Sequence, residues 1–382
     1  MTHIQRFCVA ALCVAPFLVA QPARRALKID DMHRFHDVRD AQISPDGKWV
    51  AYTVNTVDTV ADKSDTDVWM ASWDGSRQLR ITTSPENENT PRWSPDGRWL
   101  AFLSSRPGKA KGNQVWLLDR SGGEAQQLTD VKGRLTSYDW SPDGKKLLLV
   151  MADRDPNDPA EDDRPAGAPA APGAKAPKPI VIDRYKFKQD IQGYLTQAAA
   201  RLYLFDVATK KAEALTEASL EAAAPSWAPD GKWIAFLGRS GKDAERYNTT
   251  NVFVMEARAG AAPRQITQYD GIHASASRGR PEWSPDGAKL AYLQSSGAKL
   301  GAYNMNRLAV IAVSGGEPKI LAAELDRSLS RPHRCCVFLA VKRITVAGHW
   351  GHLRLDLALS GEDGAWPPVT GGQLVPRRLA GD

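Results

Sequence analysis

One pattern of apolar and polar positions returns five times along the chain. The first copy is Ile43–Tyr52 (ISPDGKWVAY), and the next four open at Trp93, Trp140, Trp227 and Trp283. Proline presets φ for the first corner of a turn, aspartate bonds its own backbone, and glycine takes the position with positive φ. Each copy therefore predicts two antiparallel strands joined by a tight turn, with one packed face. The predicted turn residues are Asp46, Gly47, Asp96, Gly97, Asp143, Gly144, Asp230, Gly231, Asp286 and Gly287.

The spacing of the copies predicts the architecture. Their prolines, at positions 45, 95, 142, 229 and 285, are 50, 47, 87 and 56 residues apart. A second apolar strand and a Leu-Thr or Ile-Thr pair accompany most copies, as in Leu128-Thr129. Repeats of about 40–50 residues with four short strands are typical of propeller blades. The sequence predicts an all-β fold, a β-propeller of four-stranded blades with five clear repeats, a degenerate sixth and incomplete closure.

The tryptophans that open four of the copies have two interpretations. Trp93, Trp140, Trp227 and Trp283 occupy one equivalent position of the repeat. They could form a stacking platform for a ligand, or they could fill the core between neighbouring blades. We expect them to be blade core, because a large apolar side chain at a repeated position is needed to join one sheet to the next.

The longest interval between copies contains an insertion of different composition. Pro156–Pro179 has seven Pro and seven Ala among its 24 residues, and it overlaps an acidic run, Asp153–Asp163. Such a composition cannot bury a core. We predict a disordered, exposed loop at residues 155–179, inside a propeller that spans residues 29–330.

A sixth copy should begin near Pro332, but residues 331–382 depart from the repeat. Three interpretations stand side by side: a metal site, a degenerate sixth blade, or an out-of-frame tail. Adjacent cysteines are a poor chelating pair, and the chain has no C-x-x-C partner for them. We therefore predict no metal and no cofactor here. The possible ligands considered are His333, Cys335, Cys336, His349 and His352.

The N-terminal 20 residues have the form of an export signal. Phe7–Ala20 is an apolar run of 14 residues, shorter than the roughly 20 that span a bilayer. It fits the apolar segment of a secretory signal peptide, cut near Ala20 or Ala23. We expect an exported protein, periplasmic or secreted, with no stable membrane span after cleavage.

The charge of the chain argues against a nucleic-acid partner. The net charge is +6 over 382 residues, and the charges are interspersed, so a nucleic-acid partner is not favoured. His273 and Arg278 lie in a predicted loop between blades. Loops between the blades of a propeller face its central channel or a partner domain, so both residues are our candidates for lining a channel.

Three further segments carry a resemblance to a known family. Ile29–Arg39 leads into the first copy, Thr66–Met70 follows it, and Ile182–Tyr194 re-enters after the insertion. With the W-S-P-D-G repeats, they resemble the propeller half of prolyl-oligopeptidase (S9) serine peptidases, in the acylaminoacyl-peptidase and dipeptidyl-peptidase branch. The repeats alone also resemble the propellers of TolB-like periplasmic proteins. The resemblance covers roughly residues 29–330.

The resemblance implies a propeller that covers a hydrolase active site and admits short peptides. In that family the serine nucleophile stands in a G-x-S-x-G turn of a hydrolase domain that follows the propeller. This sequence has no such turn, and the 53 residues after Leu329 are too few for that domain. We expect no catalytic residue in this chain and a truncated, non-catalytic, substrate-gating half. The alternative is a stand-alone TolB-like propeller that binds a protein partner. A ring that is not closed would expose a sheet edge that favours self-association.

Overall fold

The computed structural model describes residues 26–110, 112–153, 182, 185–190, 193–195, 198–239, 246, 249–269, 271–273, 279–297, 305–321, 323, 328–332, 344–348 and 351–355. These residues form antiparallel sheets in chain order, preceded by the short 3-10 helix Ile29–Arg34. The predicted export signal, the predicted disordered loop and most of the tail lie outside the described residues. The proposals for those segments are therefore not tested.

The first three sheets each have four strands, which run in sequence order from one edge to the other. The first sheet has β1 (Asp37–Ile43), β2 (Trp49–Asp58), β3 (Lys63–Ser72) and β4 (Gln78–Arg80). The second has β5 (Glu88–Trp93), β6 (Trp99–Ser104), β7 (Gln114–Asp119) and β8 (Gln126–Gln127). The third begins with β9 (Gly133–Trp140) and β10 (Lys146–Asp153). A hairpin of β11 (Lys188–Gln189) and β12 (Gly193–Tyr194) follows, and β13 (Ala200–Asp206) and β14 (Lys211–Ala214) complete the sheet.

The later sheets continue the pattern. The fourth has β15 (Ala222–Trp227), β16 (Trp233–Arg239), β17 (Thr250–Glu256) and β18 (Arg264–Gln265). In the fifth, β19 (Gly271–His273) and β20 (Glu282–Trp283) both pair with β21 (Lys289–Gly297), which is followed by β22 (Arg307–Ala312) and β23 (Lys319–Leu321). A sixth sheet contains β24 (Leu329–Pro332), β25 (Ile344–Gly348) and β26 (Gly351–Leu355). The predicted all-β architecture of four-stranded blades is confirmed, and incomplete closure of the ring stays a prediction.

The Pro-Asp-Gly turns are held by a small set of hydrogen bonds, as the second copy shows. Ser94 Oγ donates to Asp96 Oδ1 at 2.5 Å, and the backbone N–H of Trp99 donates to Ser94 Oγ at 2.9 Å. The Ser94 hydroxyl, followed by the Arg98 N–H, keeps the pKa of Asp96 below its ordinary value. The turn glycines have φ between 69° and 71°, where a side chain would be strained: Gly47, Gly97, Gly144, Gly231 and Gly287.

The fourth turn differs because Ala228 replaces the serine. Asp230 there accepts the Lys232 N–H at 2.9 Å but has no Ser hydroxyl at its side. The chain thus contains a natural comparison between a turn with the hydroxyl and one without it.

The Leu-Thr and Ile-Thr pairs fasten the third strand of a sheet to the segment that follows the fourth. In each case the threonine hydroxyl accepts a backbone N–H of the third strand at 2.9–3.0 Å. This bond explains why a hydroxyl recurs at that position of the repeat. The pairs are Thr82 with Val68, Thr129 with Val115, Thr216 with Leu202, and Thr267 with Val252.

The repeated tryptophans lie between neighbouring sheets. Trp93, Trp140, Trp227 and Trp283 are 2–8% exposed, and each belongs to an apolar cluster that joins its own sheet to the preceding one. Trp93 Nε1 also donates to the Gln42 carbonyl of the preceding sheet at 3.2 Å. These side chains therefore connect one sheet to the next.

The first sheet presents the same face without a cover among the described residues. Ile43 stands where the other repeats have tryptophan, and it is 52% exposed, whereas Trp93 is 8% exposed. Val38, on the same strand, is 60% exposed. An open apolar sheet face is a surface prone to association.

We predict that the turn serine contributes to stability and that the hydroxyl missing from the fourth turn can be restored. Ser94→Ala should lower the free energy of unfolding by about 1 kcal/mol, because it removes an acceptor and a donor of the turn. Ala228→Ser should raise it by a smaller amount. Urea unfolding followed by tryptophan fluorescence measures both. Equal stability of Ser94→Ala and the parent would contradict the role assigned to the hydroxyl.

The parent protein and Ser94→Ala should lose different amounts of stability in acid. Because the pKa of Asp96 is lowered in the folded state, its contribution is present above the unfolded value of about 3.9 and is lost as pH falls. Ser94→Ala should therefore lose less stability than the parent between pH 5 and pH 2.5. A parallel loss in both proteins would exclude this explanation.

We also predict that the open face of the first sheet drives self-association. Ile43→Glu should shift the protein toward smaller species in size-exclusion chromatography, because a carboxylate disfavours burial of that face. Val60→Glu is the matched control, since Val60 is 97% exposed and lies in the loop between β2 and β3. The same shift in both variants, or a parent that is already a monodisperse monomer, would contradict the prediction.

Candidate functional site at the centre of the ring

The first strands of the sheets converge on a common centre. Arg280 lies just before β20 of the fifth sheet, and Asp139 lies on β9 of the third, so the whole fourth sheet separates them in sequence. Their side chains nevertheless form an ion pair, with 2.6 Å between Arg280 Nη1 and Asp139 Oδ2. This contact requires the first strands to face one another, as they do around the axis of a propeller.

A polar residue stands at the same place on each first strand, directly before the Ile or Trp that opens the repeat. Sequence reasoning did not single out these residues, although their shared position was a signal that could have found them. They are Gln42, Arg92, Asp139, Ser226 and Glu282. Arg92, Asp139 and Glu282 each take part in an ion pair, and Ser226 Oγ donates to the Pro281 carbonyl at 2.5 Å.

Two groups of ion pairs organise this centre. Arg92 Nη1 lies 2.8 Å from Asp40 Oδ2 of the preceding sheet. Arg280 lies between two carboxylates, with its Nε 3.0 Å from Glu282 Oε1 in addition to the Asp139 contact. The Asp139 charge raises the pKa of Arg280 above its ordinary value, with a further contribution from Glu282. The Arg280 guanidinium is thereby held between the third and fifth sheets, which are not neighbours in sequence.

Bulges in the first strands help to place these polar groups. Asp40, Thr90 and Ala224 have positive φ of 52°, 56° and 50°, and each lies where the pairing of its strand is interrupted. A bulge bends a strand and redirects the side chains beside it. The repeated interruption therefore turns the next residues toward the centre of the ring, and Arg92 follows Thr90 by two positions.

The structure places His273 in β19 rather than in a loop, so the sequence-based placement was wrong on this point. Its side chain is 0% exposed, and its Nε2 lies 2.9 Å from Thr267 Oγ1. The ring stacks on Tyr269 at 5.4 Å and meets Tyr292 edge-on at 4.8 Å. Burial lowers its pKa to about 3. Such a histidine is neutral and packed, and its proposed role at a channel stays a prediction. Arg278 lies outside the described residues.

The described residues contain no group of three or more His, Cys, Asp or Glu side chains that could hold a metal ion. No helix in the described part of the chain is long and apolar enough to cross a membrane.

Comparison with known proteins confirms the repeat at the level of sequence. Residues 31–163 match the TolB β-propeller domain model, PD40. An uncharacterized peptidase, YuxL, of Bacillus subtilis is 29% identical over 237 residues, which are 61% of this chain and 34% of that protein. Dipeptidyl-peptidase 5 of Porphyromonas endodontalis is 29% identical over 123 residues, which are 32% of this chain and 17% of that protein. The chain thus spans about a third or less of these two relatives.

Solved structures agree on the fold. The acylaminoacyl peptidase of Pyrococcus horikoshii has a TM-score of 0.57 at 15% identity, over 83% of this chain and 43% of that one. The β-propeller domain of the trilobed protease of Pyrococcus furiosus, described as having an open velcro topology, has a TM-score of 0.52 at 15% identity, over 89% and 85%. At these identities the likeness concerns the fold alone.

The fold and the repeats define the class: this chain is a β-propeller, and its residues 31–163 match the TolB propeller model. The two relatives described above carry peptidase names, and one of the two similar structures is the propeller domain of a protease. The predicted resemblance to peptidase propellers is confirmed.

We predict that the ion triad at the centre is a coupled unit. Arg280→Met should lower the free energy of unfolding by about 3 kcal/mol, because it leaves two carboxylates without their shared cation. In the double variant with Asp139→Asn, the loss should be smaller than the sum of the two single losses, as measured by urea unfolding.

The matched control is Arg258→Met. Arg258 pairs with Glu256 at the surface, where the two side chains are 64% and 45% exposed, so the loss should stay below about 1 kcal/mol. Strict additivity of Arg280→Met and Asp139→Asn would show that the pair does not act as a unit.

Proposed function

We propose that this chain is the exported propeller of an S9-type serine peptidase and that it gates access of peptides to a hydrolase active site. The propeller fold shared with peptidase relatives carries the proposal. Hydrolysis of a peptide or acyl-peptide bond would require the nucleophile of a hydrolase domain. These 382 residues contain no G-x-S-x-G sequence, so we expect them to supply the gate and not the nucleophile.

The charged centre of the ring supports a gating role. Arg280 and Asp139 reach across from non-neighbouring sheets, so a peptide that entered along the axis would meet this ion pair. Polar groups that come from several sheets can bond to the free donors and acceptors of an extended peptide backbone. A folded domain has already paired most of its backbone groups, so it would bind less well there.

The catalytic part of the proposal is tested with the purified chain. A fluorophosphonate probe, which labels activated serines, should leave it unlabelled, and aminoacyl-anilide substrates should stay intact. A related serine peptidase with its hydrolase domain serves as the positive control. Labelling of the 382-residue chain would overturn the non-catalytic assignment. The coding DNA downstream should contain a G-x-S-x-G turn in one reading frame, and its absence in all frames would count against the peptidase assignment.

The match of residues 31–163 to the TolB propeller model favours a second candidate, a propeller that binds a protein partner. Chemical crosslinking in cells followed by mass spectrometry distinguishes the two. A specific protein partner, with no hydrolase reading frame downstream, would favour this candidate. Export is tested by N-terminal sequencing of the mature protein, which should begin after Ala20 or Ala23.

A further inference from the structure

The residue that directly follows the third strand differs from repeat to repeat, and this changes the surface between neighbouring sheets. Its backbone N–H donates to the carbonyl of the residue after the turn glycine, at 2.8–3.0 Å. The shared hydrogen bond shows that these residues are structurally equivalent. The residues are Trp73, Arg120, Val207, Ala257 and Val313.

Between the first and second sheets, Arg120 fills the groove at this position. Its Nη1 lies 2.8 Å from Asp46 Oδ2, and its guanidinium carbon lies 5.8 Å from the centre of the Trp93 ring. The other oxygen of Asp46, Oδ1, accepts the Ser44 hydroxyl and the Lys48 N–H. A carboxylate from one turn and an indole from the next sheet thus hold a guanidinium group.

The groove grows as this residue becomes smaller. Between the second and third sheets, where Val207 takes the place of arginine, there is a cavity of about 170 Å³. Between the third and fourth sheets, where Ala257 takes that place, the cavity is about 310 Å³. The larger cavity is lined on one side by Asp143 and on the other by Trp227, the counterparts of Asp46 and Trp93.

Asp143 accepts the same two hydrogen bonds as Asp46. Its Oδ1 accepts the Ser141 hydroxyl at 2.6 Å and the Lys145 N–H at 3.1 Å. Among the residues that the structure describes, nothing donates a hydrogen bond to its Oδ2, the oxygen that corresponds to the one Arg120 binds on Asp46. The Ser141 hydroxyl, followed by the Lys145 N–H, lowers the pKa of Asp143, so the carboxylate is charged at neutral pH.

We propose that the groove between the third and fourth sheets is a binding site for a guanidinium group, the side chain of an arginine on a peptide or protein. Asp143 and the Trp227 ring would hold it as Asp46 and Trp93 hold Arg120. Asp230 adds a second carboxylate to the lining, and Lys146 adds one opposing positive charge. This site does not depend on the proposed peptidase function, because it lies beside the Pro-Asp-Gly turns and not among the charged residues at the centre of the ring.

The test measures binding of N-acetyl-arginine amide to the full chain by calorimetry at low ionic strength. The neutral isostere N-acetyl-citrulline amide is the matched ligand, and the arginine compound should bind about tenfold more tightly, because only it makes the charge-assisted bond. Binding of methylguanidinium, which has the cation without a peptide backbone, shows whether the guanidinium group alone is sufficient for binding. Equal binding of the arginine and citrulline compounds would overturn the proposal.

Two substitutions in the lining of the groove should act in opposite directions. Asp143→Asn should weaken binding by about tenfold, and Lys146→Gln should strengthen it by about threefold, because each changes one charge at the groove. A merely structural role for either residue would not produce this opposite pair of effects. Circular dichroism and the melting temperature establish that both variants are folded. Changes of the same sign would overturn the proposal.

Substitutions at the variable position supply the final control. Ala257→Arg should abolish binding, because the chain's own guanidinium would then occupy the groove as Arg120 does. Arg120→Ala should open the equivalent groove between the first and second sheets and raise the stoichiometry from one ligand to two. Unchanged binding in a folded Ala257→Arg protein would show that the ligand binds elsewhere.

Discussion

The packing of each repeat's opening residue against the preceding sheet is the contact on which the rest of the molecule depends. A four-stranded sheet of this kind has an apolar face that is unstable in water unless another layer covers it. Trp93, Trp140, Trp227 and Trp283 supply that cover between successive sheets and are almost fully buried. The large area of an indole ring makes this contact strong. Ile43, at the same position of the first sheet, is half exposed and lacks such a cover among the described residues.

This packing also creates the polar centre. Because the sheets are stacked face to face around an axis, the residue that precedes each opening Trp is brought close to its counterparts. Adjacent residues therefore supply the apolar contact between sheets and the ion pair at the centre, as in Asp139-Trp140 and Glu282-Trp283. The price of assembling charges at the centre is desolvation, which Arg280 offsets by contacting two carboxylates at once.

The turns show how one repeated scaffold acquires different surfaces. The Ser-Asp hydrogen bond and the glycine with positive φ preserve the backbone from sheet to sheet. Residues outside that framework are free to vary. Arg120 fills the groove at its place, whereas Val207 leaves a groove of about 170 Å³ and Ala257 one of about 310 Å³. A propeller can thus keep its fold while each interface between sheets presents its own chemistry.

The sequence by itself determined the all-β class, the strand pairs and the order of the sheets, because a turn and its flanking strands are set by residues within about ten positions of one another. It failed at His273, assigned to a loop but found buried in a strand, because the fifth repeat splits its first strand in two. Only the tertiary structure decided that Arg280 meets Asp139, since 141 residues separate them and nothing local couples their positions. The same is true of the groove beside Asp143, whose two walls come from different sheets.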